Sequence, residues 1–135
     1  MDADCIFCKI IRGEIPSLKV HEDDATFAFL DIHPVNLGHT LVIPKRHSRN
    51  LLEIPESELS AVAARAKKIA AALMDTGAAG VNVIMNTEKP AGQIIFHTHC
   101  HVIPRYEGDG FTHWRGAPQT DEAMQAKQAE LAARL

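Results

Sequence analysis

The longest periodic pattern of apolar positions lies in residues 55–76 and predicts an amphipathic helix. Pro55 and Glu56 suit the start of this helix, and Gly77 suits its end. The apolar positions recur at the i, i+3, i+4, i+7 spacing that brings side chains to one helix face. They are Leu59, Val62, Ala63, Ala66, Ile69, Ala70 and Leu73. We therefore expect one long helix that buries a single face.

Five shorter apolar runs, separated by turn-forming residues, predict β-strands. These runs are residues 18–21, 26–30, 39–43, 81–86 and 94–103. Pro44 ends the third run, since proline has no N–H to donate to a sheet ladder. Most neighbouring runs are joined by short turns, so the expected fold class is α+β, with an antiparallel five-stranded sheet and one long helix.

Weaker patterns occupy the two ends of the chain. Residues 5–12 predict a short helical or irregular start, closed by Gly13 and Pro16. Residues 120–135 are rich in Ala, Gln and Glu and predict a helix with a thin apolar stripe, which would dock weakly or pack on a partner. The apolar positions of that stripe are Met124, Leu131 and Leu135.

The composition is that of an ordinary globular protein with one domain over residues 1–135. Its 135 residues are 46% apolar and 23% charged, which excludes disordered and collagen-like classes. With 14 basic and 17 acidic residues the net charge is −3, so the broad basic surface of nucleic-acid-binding proteins is missing. No apolar run approaches the ~20 residues of a membrane span, and the acidic start is unlike a signal peptide. We expect a cytoplasmic protein with no nucleic-acid or membrane partner.

Histidine is the residue type that points to chemistry, because three of the eight lie within five residues. His97, His99 and His101 alternate with other residues, so in a strand their rings share one face at ~6.5–7 Å spacing. A single strand histidine is usually a satisfied polar residue, but three on one face suit a metal or a phosphate. Neutral imidazole can attack phosphorus, and a neighbouring imidazole can protonate the leaving group. The cluster indicates phosphorus chemistry or metal chemistry.

Residues 87–93 precede this cluster and offer groups that can hold negative oxygens. They include backbone N–H groups, the amine of Lys89 and the amide of Gln93. The segment lacks the G-x-x-x-x-G-K-[ST] pattern of a Walker-type loop. Near the other end of the chain, Cys5 and Cys8 form a C-x-x-C pair, which is typical of redox or metal sites. The βαβ pattern that usually accompanies redox pairs is missing, which favours metal.

The segment GQIIFHTHCHVIP at 92–104 resembles the histidine-triad (HIT) family, whose motif is His-x-His-x-His followed by apolar residues. Further segments resemble the Hint-like branch of that family, namely CIFCKIIRGEIP at 5–16, FLDI at 29–32 and GHTLVIPKRH at 38–47. The resemblance covers about residues 5–106 and leaves 107–135 as a C-terminal extension. It implies a single HIT domain with the HIT-like fold, and a homodimer that joins two sheets across the long helix and the strand after it.

Members of this family hydrolyse or transfer nucleotidyl groups at an α-phosphate. The resemblance implies that His99 is the nucleophile, that His101 bonds phosphate oxygens and protonates the leaving group, and that His39 handles protons. The nucleotidyltransferase branch has Gln at the position of His101, so histidine there favours hydrolysis.

The resemblance also implies a nucleotide-binding surface. Asp31 would hold the ribose hydroxyls through charge-assisted hydrogen bonds, and Asn86 and Gly92 match phosphate-loop contacts. Ile94 departs from the serine of animal phosphoramidases, which leaves the leaving-group preference open. Six apolar residues match positions around the base, although they could equally be core. They are Phe7, Ile10, Ile15, Phe29, Ile32 and Leu41.

Members with this N-terminal C-x-x-C bind zinc through two cysteines and two histidines. The ligands implied here are Cys5, Cys8, His47 and His97. Four protein ligands would fill a tetrahedral site, so the zinc would be structural. The alternative is two packed thiols, with the histidine at the phosphate site instead.

The function that the resemblance implies is hydrolysis of purine nucleoside 5′-phosphoramidates through a nucleotidyl-histidine intermediate. A second enzyme hypothesis is hydrolysis of dinucleoside polyphosphates. Two hypotheses of other classes are a nucleotide-binding scaffold protein with incidental turnover and a zinc-binding regulatory module.

Overall fold

Five antiparallel strands form one sheet, in the spatial order first, second, third, fifth, fourth. In the computed structural model, which describes residues 2–135, three strands precede the long α-helix and two follow it; one further α-helix lies near each end of the chain, and a 3-10 turn at Lys89–Ala91 lies between the last two strands. The strands are β1 (Lys19–Glu22), β2 (Thr26–Leu30), β3 (Thr40–Pro44), β4 (Gly80–Ile84) and β5 (Cys100–Arg105). The helices are α1 (Ile6–Ile11), α2 (Glu56–Asp75) and α3 (Asp121–Ala132). The predicted α+β class, with its five-stranded antiparallel sheet and one long helix, is confirmed.

The two faces of the sheet bury different clusters. One face packs against α2 through Ala28, Val42 and Val102, which meet Val62, Ala66 and Ile69 of the helix. The other face packs against α1 in a second cluster, and it carries the site described below. The members of the second cluster are Phe7, Ile10, Phe27, Phe29, Leu41 and Ile43.

The long helix follows the predicted pattern closely. It spans Glu56–Asp75, and six of the seven predicted apolar positions are buried or half-buried. Ala63 is the exception, because it lies on the exposed side of the helix. The helix buries its predicted face against the sheet, as the periodicity indicated.

The fifth strand is shorter than predicted, and this changes the interpretation of the histidine cluster. Strand β5 begins at Cys100 rather than at residue 94, so His97 and His99 precede it. The backbone N–H of Thr98 donates to the carbonyl oxygen of Ser48 at 2.8 Å instead of joining the sheet. The prediction that all three histidines lie in one continuous strand is therefore wrong, although they stay close in space.

The C-terminal helix forms where predicted but buries nothing. Thr120 caps α3 by accepting a hydrogen bond from the N–H of Ala123 at 3.2 Å. Every residue from 111 to 135 is exposed. Within residues 2–135, no helix combines the length and the apolar character that crossing a membrane requires.

Candidate active site and metal centre

His99 lies at the centre of the site with its proton position fixed. Its Nδ1 is 2.7 Å from the carbonyl oxygen of His97, and because a carbonyl only accepts, Nδ1 must carry the hydrogen. The lone pair of the neutral ring is then on Nε2. Phe7 packs edge-on against the ring, with 5.2 Å between centroids. Burial lowers the pKa of His99, against the hydrogen bond to the His97 carbonyl oxygen and the charge of Asp31, so the ring is neutral near pH 7. A neutral imidazole has the lone pair that nucleophilic attack needs.

His39 and His101 form a hydrogen-bonded pair beside His99. The N–H of Val35 donates to His39 Nδ1 at 3.1 Å, so neutral His39 carries its hydrogen on Nε2. That nitrogen is 2.9 Å from His101 Nδ1, which must accept. His101 therefore carries its own hydrogen on Nε2, as a proton donor to a ligand. Its ring centroid is 5.0 Å from that of His99.

Burial and a carboxylate act in opposite directions on this pair. Burial, together with the neighbouring rings of His99 and His39, lowers the pKa of His101 to about 4, against the opposing charge of Asp31. Burial also lowers the pKa of His39, against the carboxylate of Asp31, whose Oδ2 lies 3.7 Å from His39 Nε2. The free site is thus uncharged at the imidazoles, and Asp31 stabilises any imidazolium that forms on proton uptake.

Asp31 sits just past β2 and is held at two points. Its backbone N–H donates to the carbonyl oxygen of His39 at 2.9 Å. Its Oδ1 accepts from the N–H of His33 at 2.8 Å, which turns Oδ2 toward His39. The donor atoms of Asp31, His39 and His101 lie within 4.8 Å of one another, a spacing that could hold a metal ion. The 2.9 Å hydrogen bond between the two rings already uses those nitrogens, so the arrangement fits a proton relay better.

The six apolar residues that were predicted to surround the nucleotide base differ in how far they are buried. Four of them, namely Phe7, Ile10, Phe29 and Leu41, are buried in the α1-side cluster. Ile15 packs half-buried against that cluster, whereas Ile32 is 78% exposed. The buried members form the floor under His99, and Ile32 is the member that is free to contact a ligand.

Asn86 and Gly92 lie together in the loop that follows β4. Ile84, the last paired residue of β4, pairs with His101 of β5, and Asn86 follows Ile84 by two residues. Gly92 has φ +99°, and a Cβ there would lie 3.5 Å from the side-chain nitrogen of Asn86. Both predicted phosphate-loop residues therefore lie in one loop, which starts next to the strand pair that carries His101.

Gln93 is placed differently from the prediction. Its side chain is 1% exposed and is satisfied within the protein. The side-chain N–H groups donate to the carbonyl oxygens of Arg49 at 2.7 Å and Ile95 at 3.1 Å. Its Oε1 accepts from the N–H of Glu88 at 2.9 Å and from Asn50 at 3.3 Å. The amide braces the loop and does not face a ligand.

Cys5, Cys8, His47 and His97 converge at a second centre. Cys5 begins α1, where its sulfur accepts from the N–H of Cys8 at 3.3 Å. His97 Nδ1 is 3.4 Å from Cys5 Sγ, 3.5 Å from Cys8 Sγ and 3.2 Å from His47 Nδ1. His97 Nε2 donates to the carbonyl oxygen of Pro44 at 2.9 Å, so its Nδ1 is free to bind a metal. All four donor atoms lie within 4.8 Å of one another.

This donor set fits zinc. Tetrahedral zinc with bonds of about 2.0–2.3 Å separates its ligand atoms by roughly 3.3–3.8 Å. The spacings above fall at or just below that range, and two sulfurs with two imidazoles are ligands that zinc prefers. The remaining cysteine, Cys100, is buried on the opposite face of the sheet among the α2-side residues. It is a core residue.

Sequence reasoning missed the residues that hold the loop before the triad. Arg49 pairs with Glu88 through two hydrogen bonds of 2.9 and 2.8 Å, and Asn50 donates to the same carboxylate at 3.0 Å. Ser48 and Thr98 join their hydroxyls at 2.7 Å in the same region. Exposed charges and small polar residues far apart in sequence carry no periodic signal, so only the structure reveals this network.

Sequence comparison finds relatives across most of this chain. A family model described as HIT domain matches residues 12–108. The adenosine 5′-monophosphoramidase of Saccharomyces cerevisiae is 43% identical over 138 residues, which cover 100% of this chain and 85% of the yeast protein. An adenylylsulfatase of Arabidopsis thaliana is 48% identical over 107 residues, which cover 78% of this chain and 54% of the plant protein.

Solved structures show the same architecture. A Streptococcus mutans protein superposes with a TM-score of 0.90 at 44% identity, covering 99% of this chain and 86% of that one. A zinc-bound histidine triad family protein from Mycobacterium smegmatis superposes with a TM-score of 0.78 at 36% identity, covering 98% of each chain. With the family model matching most of its length and relatives this similar across it, the chain belongs to the HIT domain family.

Proposed function

We propose that this enzyme hydrolyses purine nucleoside 5′-phosphoramidates through a nucleotidyl intermediate on His99. The observation that carries the proposal is the 2.7 Å hydrogen bond from His99 Nδ1–H to the carbonyl oxygen of His97. This bond leaves the lone pair of a neutral imidazole on Nε2, and attack on phosphorus needs such a lone pair. The yeast relative with full coverage, named for action on adenosine monophosphoramidate, supports the same substrate class.

The reaction would run in two steps. An anionic phosphate beside His101 favours uptake of a proton by that ring, and Asp31 stabilises the charge. His99 Nε2 attacks the α-phosphorus as the P–N bond breaks, and the leaving amine takes the proton from His101. Water then attacks the nucleotidyl-His99 and gives its proton back to His101. That proton returns to solvent as the nucleoside monophosphate leaves.

Two parts of the site would bind the rest of the nucleotide. Asp31 is half-buried and offers carboxylate oxygens to the two ribose hydroxyls. Ile32, which is exposed beside it, would cover one face of a purine. Asn86 and Gly92, which lie together in the loop after β4, would contact the phosphate.

The leaving group is the least specified part of the substrate. Ile94 is 86% exposed and offers no hydrogen bond to an amine. The plant relative named an adenylylsulfatase favours an adenylyl sulfate as a second candidate substrate. Both compounds share an adenylyl group and differ in the atom that leaves, so relative kcat/KM values for the two, with a dinucleoside polyphosphate as the third, decide among them.

We also propose a structural zinc ion at Cys5, Cys8, His47 and His97. The ion would supply a tetrahedral cross-link and no open position for water, since protein fills all four sites. The cluster joins the start of α1 to the residues directly before His99. The zinc-bound Mycobacterium smegmatis neighbour supports this assignment.

A homodimer completes the proposal. A groove of about 1020 Å³ runs between β4 and the segment 111–114 and is lined mainly by apolar groups. Val83 and Trp114 in its wall are 54% and 92% exposed, and α3 buries none of its residues. A second copy that covers β4 would bury these groups and extend the sheet.

The test is intact-protein mass spectrometry after brief mixing with an adenosine phosphoramidate. We expect a transient adduct of one adenylyl group on the wild type and none on His99→Ala. His33→Ala, which changes a histidine on the exposed stretch after β2, is the matched control and keeps the adduct. A folded wild type that binds the compound yet gives neither adduct nor released nucleotide would overturn the proposal. Native spectra of the same samples report the zinc content and the number of chains.

A further inference from the structure

Glu88 has a backbone conformation that residues with a side chain rarely adopt. Its φ is 71° and its ψ is 160°, a region that is essentially restricted to glycine. Among residues 2–135 it is the one non-glycine residue with positive φ. Such a conformation costs free energy and persists where the surroundings hold it. Contacts to both the side chain and the backbone of Glu88 hold it in this conformation.

The carboxylate of Glu88 is held on the surface by Arg49 and Asn50. Arg49 donates from Nε and Nη2 to the two carboxylate oxygens at 2.9 and 2.8 Å, a bidentate pair. Asn50 donates to one of these oxygens at 3.0 Å. The guanidinium of Arg49 also lies 4.3 Å from the centre of the Phe96 ring, which restricts its orientation.

The backbone of Glu88 is held from inside by Gln93. The Glu88 N–H donates to Gln93 Oε1, and the same amide donates to the carbonyl oxygen of Arg49. The Glu88 carbonyl oxygen accepts from the N–H of Ala91 at 3.1 Å and of Gln93 at 3.2 Å. Arg49 is therefore joined to Glu88 twice, once through side chains and once through the buried amide.

The loop that this network holds lies next to the histidine cluster. It begins at Asn86, two residues after Ile84, which pairs with His101 of β5, and it ends at Gln93, four residues before His97. Gly92 lies against Asn86 in the same loop. Glu88 lies between Asn86 and Gly92 in the chain, so a change in its backbone moves both residues relative to the histidine cluster.

We propose that Arg49 and Glu88 are a positioning pair whose ion pair offsets the backbone strain at Glu88 and so fixes residues 86–92 around the phosphate of the substrate. This inference rests on the proposed function. Neither side chain touches the reacting atoms. The pair acts through the backbone of the loop, and it sets how well the loop contacts the phosphoryl group as charge shifts in the reaction.

A second ion pair in the chain provides the matched control. Arg12 and Glu14 form the same bidentate arrangement, at 3.0 and 2.9 Å, on the exposed surface after α1. An exposed pair of this kind contributes little by itself. The difference is that no strained residue lies between Arg12 and Glu14, so the positioning effect is expected at one pair and not at the other.

The decisive comparison is between alanine and glycine at position 88. Glu88→Ala loses the carboxylate but keeps the strain, so kcat is expected to fall about tenfold. Glu88→Gly loses the same carboxylate but adopts φ 71° freely, so kcat should stay within about threefold of wild type. The kcat of Arg49→Gln should equal that of Glu88→Ala, and the kcat of the Arg49→Gln/Glu88→Gly double variant should equal that of Glu88→Gly. KM should stay within about twofold, because the base and ribose contacts are elsewhere.

A purely structural or electrostatic role predicts a different order. It would give equal losses for alanine and glycine, or a larger loss for glycine, whose unfolded chain is more flexible. Either order overturns the proposal, as does an unchanged kcat in Arg49→Gln. Arg12→Gln and Glu14→Gln should leave kcat unchanged.

Amide hydrogen exchange tests the same pair without turnover. The amides of Glu88, Ala91 and Gln93 are hydrogen-bonded, so they should exchange faster in Arg49→Gln and Glu88→Ala than in Glu88→Gly. Unchanged exchange across residues 86–93 in these two variants contradicts the inference. If the wild type forms no adduct but exchange responds as expected, the proposed function fails while the strain account stands. If the adduct forms but Glu88→Gly does not restore kcat, the strain account fails while the proposed function stands.

Discussion

The hydrogen bond between His39 Nε2 and His101 Nδ1, 2.9 Å long, decides where His101 carries its hydrogen. Because His39 Nδ1 is occupied by the N–H of Val35, His39 can only donate through Nε2. His101 then presents Nε2–H to the ligand side. A backbone amide four residues before His39 thus fixes the proton of a ring on another strand.

Replacing His39 should separate proton delivery from nucleophilic attack. His39→Ala removes the donor that holds the tautomer of His101, so kcat is expected to fall about 10–100-fold. The adduct on His99 should still form in stopped reactions, because the bond from His99 to the carbonyl oxygen of His97 is untouched. Rapid-quench mass spectrometry with the wild type as reference checks this. Complete loss of the adduct would assign His39 a different role.

Stability should decrease with acidity in a defined window. The pKa of His101 in the folded protein is about 4, below the value of about 6.5 for a histidine in an unfolded chain. Between these values the unfolded state binds more protons, so the free energy of unfolding falls as the pH falls from about 6.5 to 4. Urea unfolding at several pH values measures this slope. His101→Asn should have a shallower slope, and an equally steep one would contradict the assignment.

Asp31 should discriminate between ribose and deoxyribose. With a ribose substrate, Asp31→Asn is expected to raise KM about tenfold, since charge-assisted hydrogen bonds become neutral ones. With a 2′-deoxyribose substrate, the same variant should change KM much less. Steady-state kinetics on both substrates forms a double cycle. An equal change in KM with both substrates would mean that Asp31 does not bind the ribose. Its contact with the His39 ring would then be its remaining role in the site.

Metal content should depend on four residues and not on the third cysteine. Cys8→Ser is expected to lose most of the bound zinc and to lower Tm, because zinc binding contributes directly to folding. Cys100→Ala removes a buried thiol on the opposite face and should retain one zinc per chain despite a lower Tm. Elemental analysis of purified protein distinguishes them. Full zinc content in Cys8→Ser would exclude the proposed ligand set.

Regular elements were predictable because burial imposes a period. Val62, Ala66 and Ile69 repeat at helical spacing, since one face of α2 packs on the sheet. The alternation of His97, His99 and His101 led to a wrong strand boundary. The predicted strand begins at residue 94, whereas β5 begins six residues later, at Cys100. Alternation reports which residues share a face and not which backbone groups pair, and Thr98 bonds to Ser48 instead of to a strand.

The triad and the metal cluster could be predicted because their residue types are rare and chemically specific. The supports of the site could not. Gln93 was assigned to a ligand on its chemistry, yet its amide is buried and bonds to the backbone of Arg49. Glu88 and Arg49 are 39 positions apart and exposed, so no pattern along the chain joins them. Their pairing follows from how two loops meet in space.

The Cys5 sulfur and the His97 ring lie 92 positions apart in the chain and 3.4 Å apart in the fold. An ion held between them would close a loop that contains all of β1 to β4 and the whole of α2. Closing so long a loop costs conformational entropy in an unfolded chain, whereas packing of the enclosed elements brings the four ligands together, so the folded chain would bind the ion more tightly. Metal uptake would then serve as a report of completed folding, and a chain that stalls with its sheet unfinished would remain without metal.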